Sequence, residues 1–139
     1  MLETYDLDCK IHVESTLAKD DLADRVAKLS SGTLFGTGIS RTVRTDVGEI
    51  EVRTNPDSNE QLARAFPEGF LHFRYVLEIF AYLTASSEER RLLVSKILQG
   101  FWSSGTPAVA ACDYEAELPF GGGYNSRSVP WVALELQPN

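Results

Sequence analysis

Apolar and polar positions alternate from residue 5 to residue 14: Tyr5, Leu7, Cys9, Ile11 and Val13 on one side, Asp6, Asp8, Lys10, His12 and Glu14 on the other. That period of two predicts a strand with one wet face. The period then lengthens. Leu22, Val26 and Leu29 recur at helical spacing, Asp20 and Asp21 sit where the positive end of the helix dipole favours them, Thr16 is placed to cap and Gly32 to stop the element. Asp21/Arg25 and Asp24/Lys28, four apart with the acid first, mark its exposed side. Residues 35–44 and 49–53 are rich in β-branched side chains and flank Thr45-Asp46-Val47-Gly48, which predicts a hairpin with Ile50 and Val52 facing the same way as the apolar side of the first strand.

Residues 55–69 are polar and bounded by Pro56 and Pro67, a loop with a helical turn that carries Leu62 and Phe66 inward. In 70–80, Leu71, Phe73, Tyr75, Leu77 and Ile79 alternate with His72, Arg74 and Glu78, while Phe70, Val76 and Phe80 interrupt the polar side. A strand apolar on both faces is central or covered on its second face. Ser86 and Glu89 form a capping box for a second helix with Leu93, Val94, Ile97, Leu98 and Phe101 as its stripe, stopped by Gly105 and Pro107. Residues 108–118 read as a strand, 119–128 as a loop, and 129–136 as a C-terminal edge strand that tolerates Pro130 at its start. This order predicts a single α+β domain over residues 1–139: one antiparallel sheet with two helices packed on one face, similar to the ferredoxin-like βαββαβ arrangement with an added hairpin. The first and last strands become neighbours, and the opposite sheet face is left open.

The chain of 139 residues, 43% hydrophobic and 24% charged, is long enough to bury a core without staples. Its 13 basic and 20 acidic residues give a net charge of −7, which repels nucleic-acid backbones and anionic membranes and favours a cationic partner. The start MLETYDLDCK lacks the basic and apolar regions of a signal peptide, so a cytoplasmic protein is expected, with no membrane partner. Cys9 and Cys112 are too far apart in sequence for zinc-ribbon or CxxC spacing; if their strands pair they come within bonding distance, and a reducing compartment keeps them as thiols.

Residues 112–123, CDYEAELPFGGG, carry the densest chemistry. On a strand, Asp113, Glu115 and Glu117 form a carboxylate row spaced by about 7 Å, too wide to chelate one metal. With Asp6, Asp8 and Glu14 from the first strand they make a negative patch, readable as a docking surface or as a solvated edge that prevents aggregation. The glycines fit neither a P-loop nor a dinucleotide turn, and no GxSxG, HExxH or SxxK is present. Residues 119–128 could act as a lid with Arg127 as an anion contact, or be a plain connector. Cys9 and His12 face opposite sides of the strand and form no dyad. His12 and His72 fall on wet faces and, with Asp8, could meet on adjacent strands. No metal, cofactor or catalytic residue is assigned.

Phe120, Tyr124 and Trp131 flank the loop in an acidic rim, the composition of a protein-binding hot spot, though the same aromatics could line a small-molecule pocket. In size, acidity, α+β plan and lack of catalytic motif, the whole chain resembles bacterial immunity proteins that neutralise secreted toxins. The resemblance is one of character and transfers no family residue. It implies a binding module that occludes a basic partner through Asp6, Asp8, Glu14, Asp113, Glu115, Glu117, Phe120, Tyr124 and Arg127. The competing expectation is a small-molecule-binding protein or enzyme using His12, His72 and Arg74 on the open sheet face, and a third is a homo-oligomer that buries Phe70, Val76 and Phe80.

Overall fold

The computed structural model describes residues 5–36 and 41–132. Strand β1 (Tyr5–Val13) lies between β5 (Tyr75–Tyr82) and β6 (Ala108–Ala111), and the sheet continues outward from β5 through β4 (Gly48–Thr54) and β3 (Arg41–Arg44) to β2 (Thr33–Phe35). All five neighbouring pairs are antiparallel. The fold is thus α+β, one six-stranded antiparallel sheet with helices α1 (Lys19–Ser30) and α2 (Ser87–Ser103), and its first and last strands are neighbours.

The side-chain period of two sorts the strand residues. Cys9, Ile11 and Val13 of β1, Ile50 and Val52 of β4, and Tyr75, Leu77 and Ile79 of β5 are buried in one cluster with Leu22, Ala23 and Val26 of α1 and Leu93, Val94, Ile97, Leu98 and Phe101 of α2. Both helical stripes therefore pack on the same sheet face. Helix α2 starts as its sequence dictates: Ser86 Oγ accepts from the Glu89 amide and the Glu89 carboxylate accepts from the Ser86 amide. Helix α1 starts later than Thr16, after Ala18, which offers no side-chain cap, and it ends at Ser31 in the left-handed conformation with the Gly32 amide donating to the Ala27 carbonyl.

Several expectations need correction. First, β1 does not alternate without a break. Its register against β5 slips between Leu7 and Cys9, so that Leu7 opposes Phe80 while Cys9 opposes Ile79. The extra residue, Asp8, is a bulge, and bulges re-aim the side chains around them. Leu7 moves to the second sheet face, and Asp8 leaves the wet row to accept from Arg90 of α2 at 3.2 Å and from the Tyr114 hydroxyl at 2.6 Å. Desolvation and the bond to Asp8 push the Tyr114 hydroxyl well above its usual pKa. Asp8→Ala is expected to lower unfolding stability by about 2 kcal/mol, measured in urea, because it strips two charge-assisted bonds from half-buried partners.

Second, residues 68–72 form a 3-10 turn and only Tyr75–Tyr82 is strand. The Asn55 amide Nδ2 donates to the carbonyls of Leu71 and Phe73, at 3.0 and 2.7 Å, and folds this segment across the sheet instead of along it. Third, β6 stops at Ala111 and residues 115–117 form another 3-10 turn. Glu115 reaches back to accept from the Cys112 amide at 3.1 Å, a local bond that competes with continuing the ladder. Fourth, the stretch read as one strand over 35–44 contributes to two, β2 and β3, paired Leu34 to Val43. The 129–136 edge strand is not formed at Val129–Val132, and its remainder lies outside the described residues.

Candidate functional site

The second face of the sheet carries the alternate residues in cross-strand rows. Lys10, Glu78 and Glu51 stand opposite one another on β1, β5 and β4; the next row is His12, Val76 and Arg53. Part of this face is sealed by the chain itself. Phe70 and Phe73 from the Asn55-anchored segment pack with Ala63 and Val109, and Trp131 lies against Phe66 and Phe73 with its indole N–H donating to the Arg64 carbonyl. Phe70 and Val76 are each only 8% exposed, so these two residues of the expected apolar stripe are covered within one chain, while Phe80 is half-buried.

Where the cover stops, a groove of about 980 Å³ remains. Its floor is Lys10, His12, Val76, Glu78, Glu51 and Arg53, and one wall is Asn55, Asp57, Leu71 and His72. The wall is rigidly tied: the Asn55 amide donates to the Arg74 carbonyl, the Asn59 amide to the His72 carbonyl, and His72 Nδ1 lies 2.9 Å from the Asp57 carbonyl. On the floor, Arg53 is claimed by Glu78 at 2.7 Å and Glu51 at 2.6 Å, which raises its pKa, chiefly through the bond to Glu78. Lys10 is exposed and forms no ion pair among the described residues. His12 stacks edge-on against Phe70, and its Nδ1 is buried without a hydrogen-bond partner among the described residues. Desolvation first, then the Lys10 charge, lower its pKa from 6.5 to about 4.

No protein-family model, curated protein or solved structure matches this chain. Function therefore rests on how the described residues are placed, and that placement divides the two candidate sets.

Most of the carboxylates expected to form one patch are engaged by the chain itself. Asp8 is bound by Arg90 and Tyr114; Glu14 accepts from the Arg74 amide and, half-desolvated, has a raised pKa; Glu115 caps its own turn; and Glu117 pairs with Arg91 of α2 at 3.2 Å. Asp6 and Asp113 stay exposed. The loop over 119–128 is pinned down: the Tyr124 hydroxyl donates to Glu68, its ring meets Phe70 edge-on, and the Arg127 guanidinium lies 4.2 Å over the Phe66 ring. Phe120 is 57% exposed beside Trp102. The triple glycine is explained by backbone. Residues 120–123 all have positive φ, and a Cβ on Gly123 would lie 2.9 Å from the Ala108 carbonyl oxygen, so at Gly123 the chain can rest against β6 only without a side chain.

The histidine set is brought together in part. His12 and His72 line the same groove. Arg74 does not: its guanidinium lies 5.1 Å over the Tyr75 ring and donates to the Ser15 carbonyl. Asp8 is on the helix side, so the triad with both histidines does not form, and among the described residues no group of His, Cys, Asp and Glu has metal-holding geometry. No helix among the described residues is long and apolar enough to cross a membrane. Lys10 and Asn55 belong to the site although sequence reasoning did not select them. An Asn-Pro pair directly after a strand was the available signal for Asn55.

Proposed function

We propose that this protein binds a small organic anion in the groove on the second face of its sheet. One observation carries the reading: an exposed Lys10 stands beside His12, both without a polar partner among the described residues at Nζ and Nδ1, on the floor of a cleft whose wall is tied by hydrogen bonds. Clefts of several hundred Å³ that combine apolar lining with a few fixed polar groups are the usual form of ligand sites. Val76 and Leu71 supply the apolar part, and Arg53, already held by Glu51 and Glu78, leaves Lys10 as the cation to meet an anion. The strand order also supports reading the plan as ferredoxin-like, with β2 and β3 as the added hairpin on the β4 edge.

A thermal-shift screen of carboxylates and phosphate esters against cationic and neutral compounds tests this. An anion at a hundred times its dissociation constant is expected to stabilise the fold by about 2.7 kcal/mol, and Lys10→Glu is expected to abolish the shift. A screen in which anions have no effect, or in which the Lys10→Glu protein responds like the wild type, overturns the reading. The docking alternative for a basic protein keeps Asp6, Asp113 and Phe120 as exposed groups.

A further inference from the structure

The two cysteines lie away from the groove, at the end of the ladder between β1 and β6. That ladder pairs Lys10 with Ala111, so Cys9, the next residue of β1, and Cys112, the first residue beyond the end of β6, come side by side, near enough for each thiol to perturb the other, while the Cys9 thiol donates to the Lys10 carbonyl at 3.6 Å. Directly opposed residues of an antiparallel pair have Cα atoms about 4.5–5.5 Å apart, inside the span of about 4.4–6.8 Å that a disulfide bridges. Both thiols are free. They are not equivalent. Cys9 is 2% exposed within the helix-side core, whereas Cys112 is only half-buried, packed against that core where the chain leaves the sheet. The neighbouring Cys9 thiol holds the Cys112 thiol below its usual pKa; the Cys112 thiol, followed by burial, pushes the Cys9 thiol up.

The geometry points to an oxidation site: Cys112 is the thiol that reacts with a hydroperoxide, and Cys9 is the thiol that then closes a Cys9–Cys112 disulfide. In the first step the Cys112 thiolate sulfur attacks one peroxide oxygen, the O–O bond breaks, and the departing oxyanion takes a proton to leave as water or an alcohol. Cys112 becomes a sulfenic acid. In the second step the Cys9 sulfur attacks the Cys112 sulfur, the S–O bond breaks, and hydroxide leaves with the Cys9 proton as water. The peroxide is reduced and the two thiols are oxidised together. A buried resolving thiol beside the reacting one favours this intramolecular route over further oxidation of Cys112.

Treating the full chain with hydrogen peroxide, alkylating the remaining thiols after denaturation, and mapping peptides without reduction tests the site. The expected result is joint loss of both free thiols, one peptide linked through Cys9 and Cys112, and a monomer on a non-reducing gel. In Cys9→Ala, the sulfenic acid at Cys112 is expected to persist and be trapped by a cyclic dione; in Cys112→Ala, Cys9 is expected to stay fully alkylatable. The proposal is overturned if wild-type Cys9 stays free while Cys112 is converted to sulfinic acid or bridges two chains, or if neither thiol is consumed. The wild-type map decides the matter even if a variant fails to fold.

Discussion

Gly48→Ala is expected to destabilise the protein by at least about 3 kcal/mol, or to prevent folding, because the methyl group has no space that side-chain motion can supply. Thr45 closes a tight turn, its hydroxyl accepting from the Val47 and Gly48 amides and its own amide donating to the Gly48 carbonyl. Gly48 then enters β4 opposite Ala81, with the Tyr82 amide donating to the Val47 carbonyl. A Cβ at Gly48 would lie 2.1 Å from the Phe80 carbonyl oxygen and 2.7 Å from the Ala81 Cα. Both are backbone atoms of β5, which pairs on its other edge with β1 and so cannot retreat without breaking a second ladder. Gly105→Ala is the matched comparison. Its φ is +78° but nothing lies within 4 Å of the added carbon, so only the left-handed conformation costs, about 1 kcal/mol. Urea midpoints of the two variants should differ clearly; equal midpoints would show that the β4–β5 register is not as described.

Stability is expected to fall by about 3 kcal/mol as pH drops from 6.5 to 4, through His12 alone. In the unfolded chain His12 takes up its proton near the reference value of 6.5; in the folded chain, desolvation beneath Phe70 and the neighbouring Lys10 charge delay protonation to about 4. Between these values the unfolded state binds more protons, so acid favours unfolding. Above 6.5 the residue is neutral in both states and contributes no slope; below 4 it is charged in both, and the loss is complete. Proton NMR should place the His12 midpoint near 4, and His12→Gln should flatten the stability profile over that window. A midpoint near 6.5 would contradict the covered position of this ring. An anion held by Lys10 would raise the midpoint, which links this titration to the proposed ligand.

The sequence by itself determined the elements whose causes are local. Helix α2 is set by Ser86 and Glu89, three residues apart, and by a stripe from Leu93 to Phe101 that any sheet face would accept. The odd-numbered residues from Cys9 to Val13 and the residues Tyr75 to Ile79 likewise announced a strand and the face it buries. Only the tertiary structure decided what the polar residues do. Asp8 leaves its row because Arg90 and Tyr114, 82 and 106 residues further along, offer it better partners, and the same bulge sends Leu7 to the other face. The carboxylates of 113–117 read as a strand because alternate spacing cannot reveal that Glu115 turns back onto the Cys112 amide. The groove exists because Asn55 binds the carbonyls of Leu71 and Phe73 and folds one segment over part of the second face, leaving Lys10 and His12 at its border. Periodicity records which side of an element is apolar; which distant group meets the polar side depends on long-range pairing, and no local pattern encodes it.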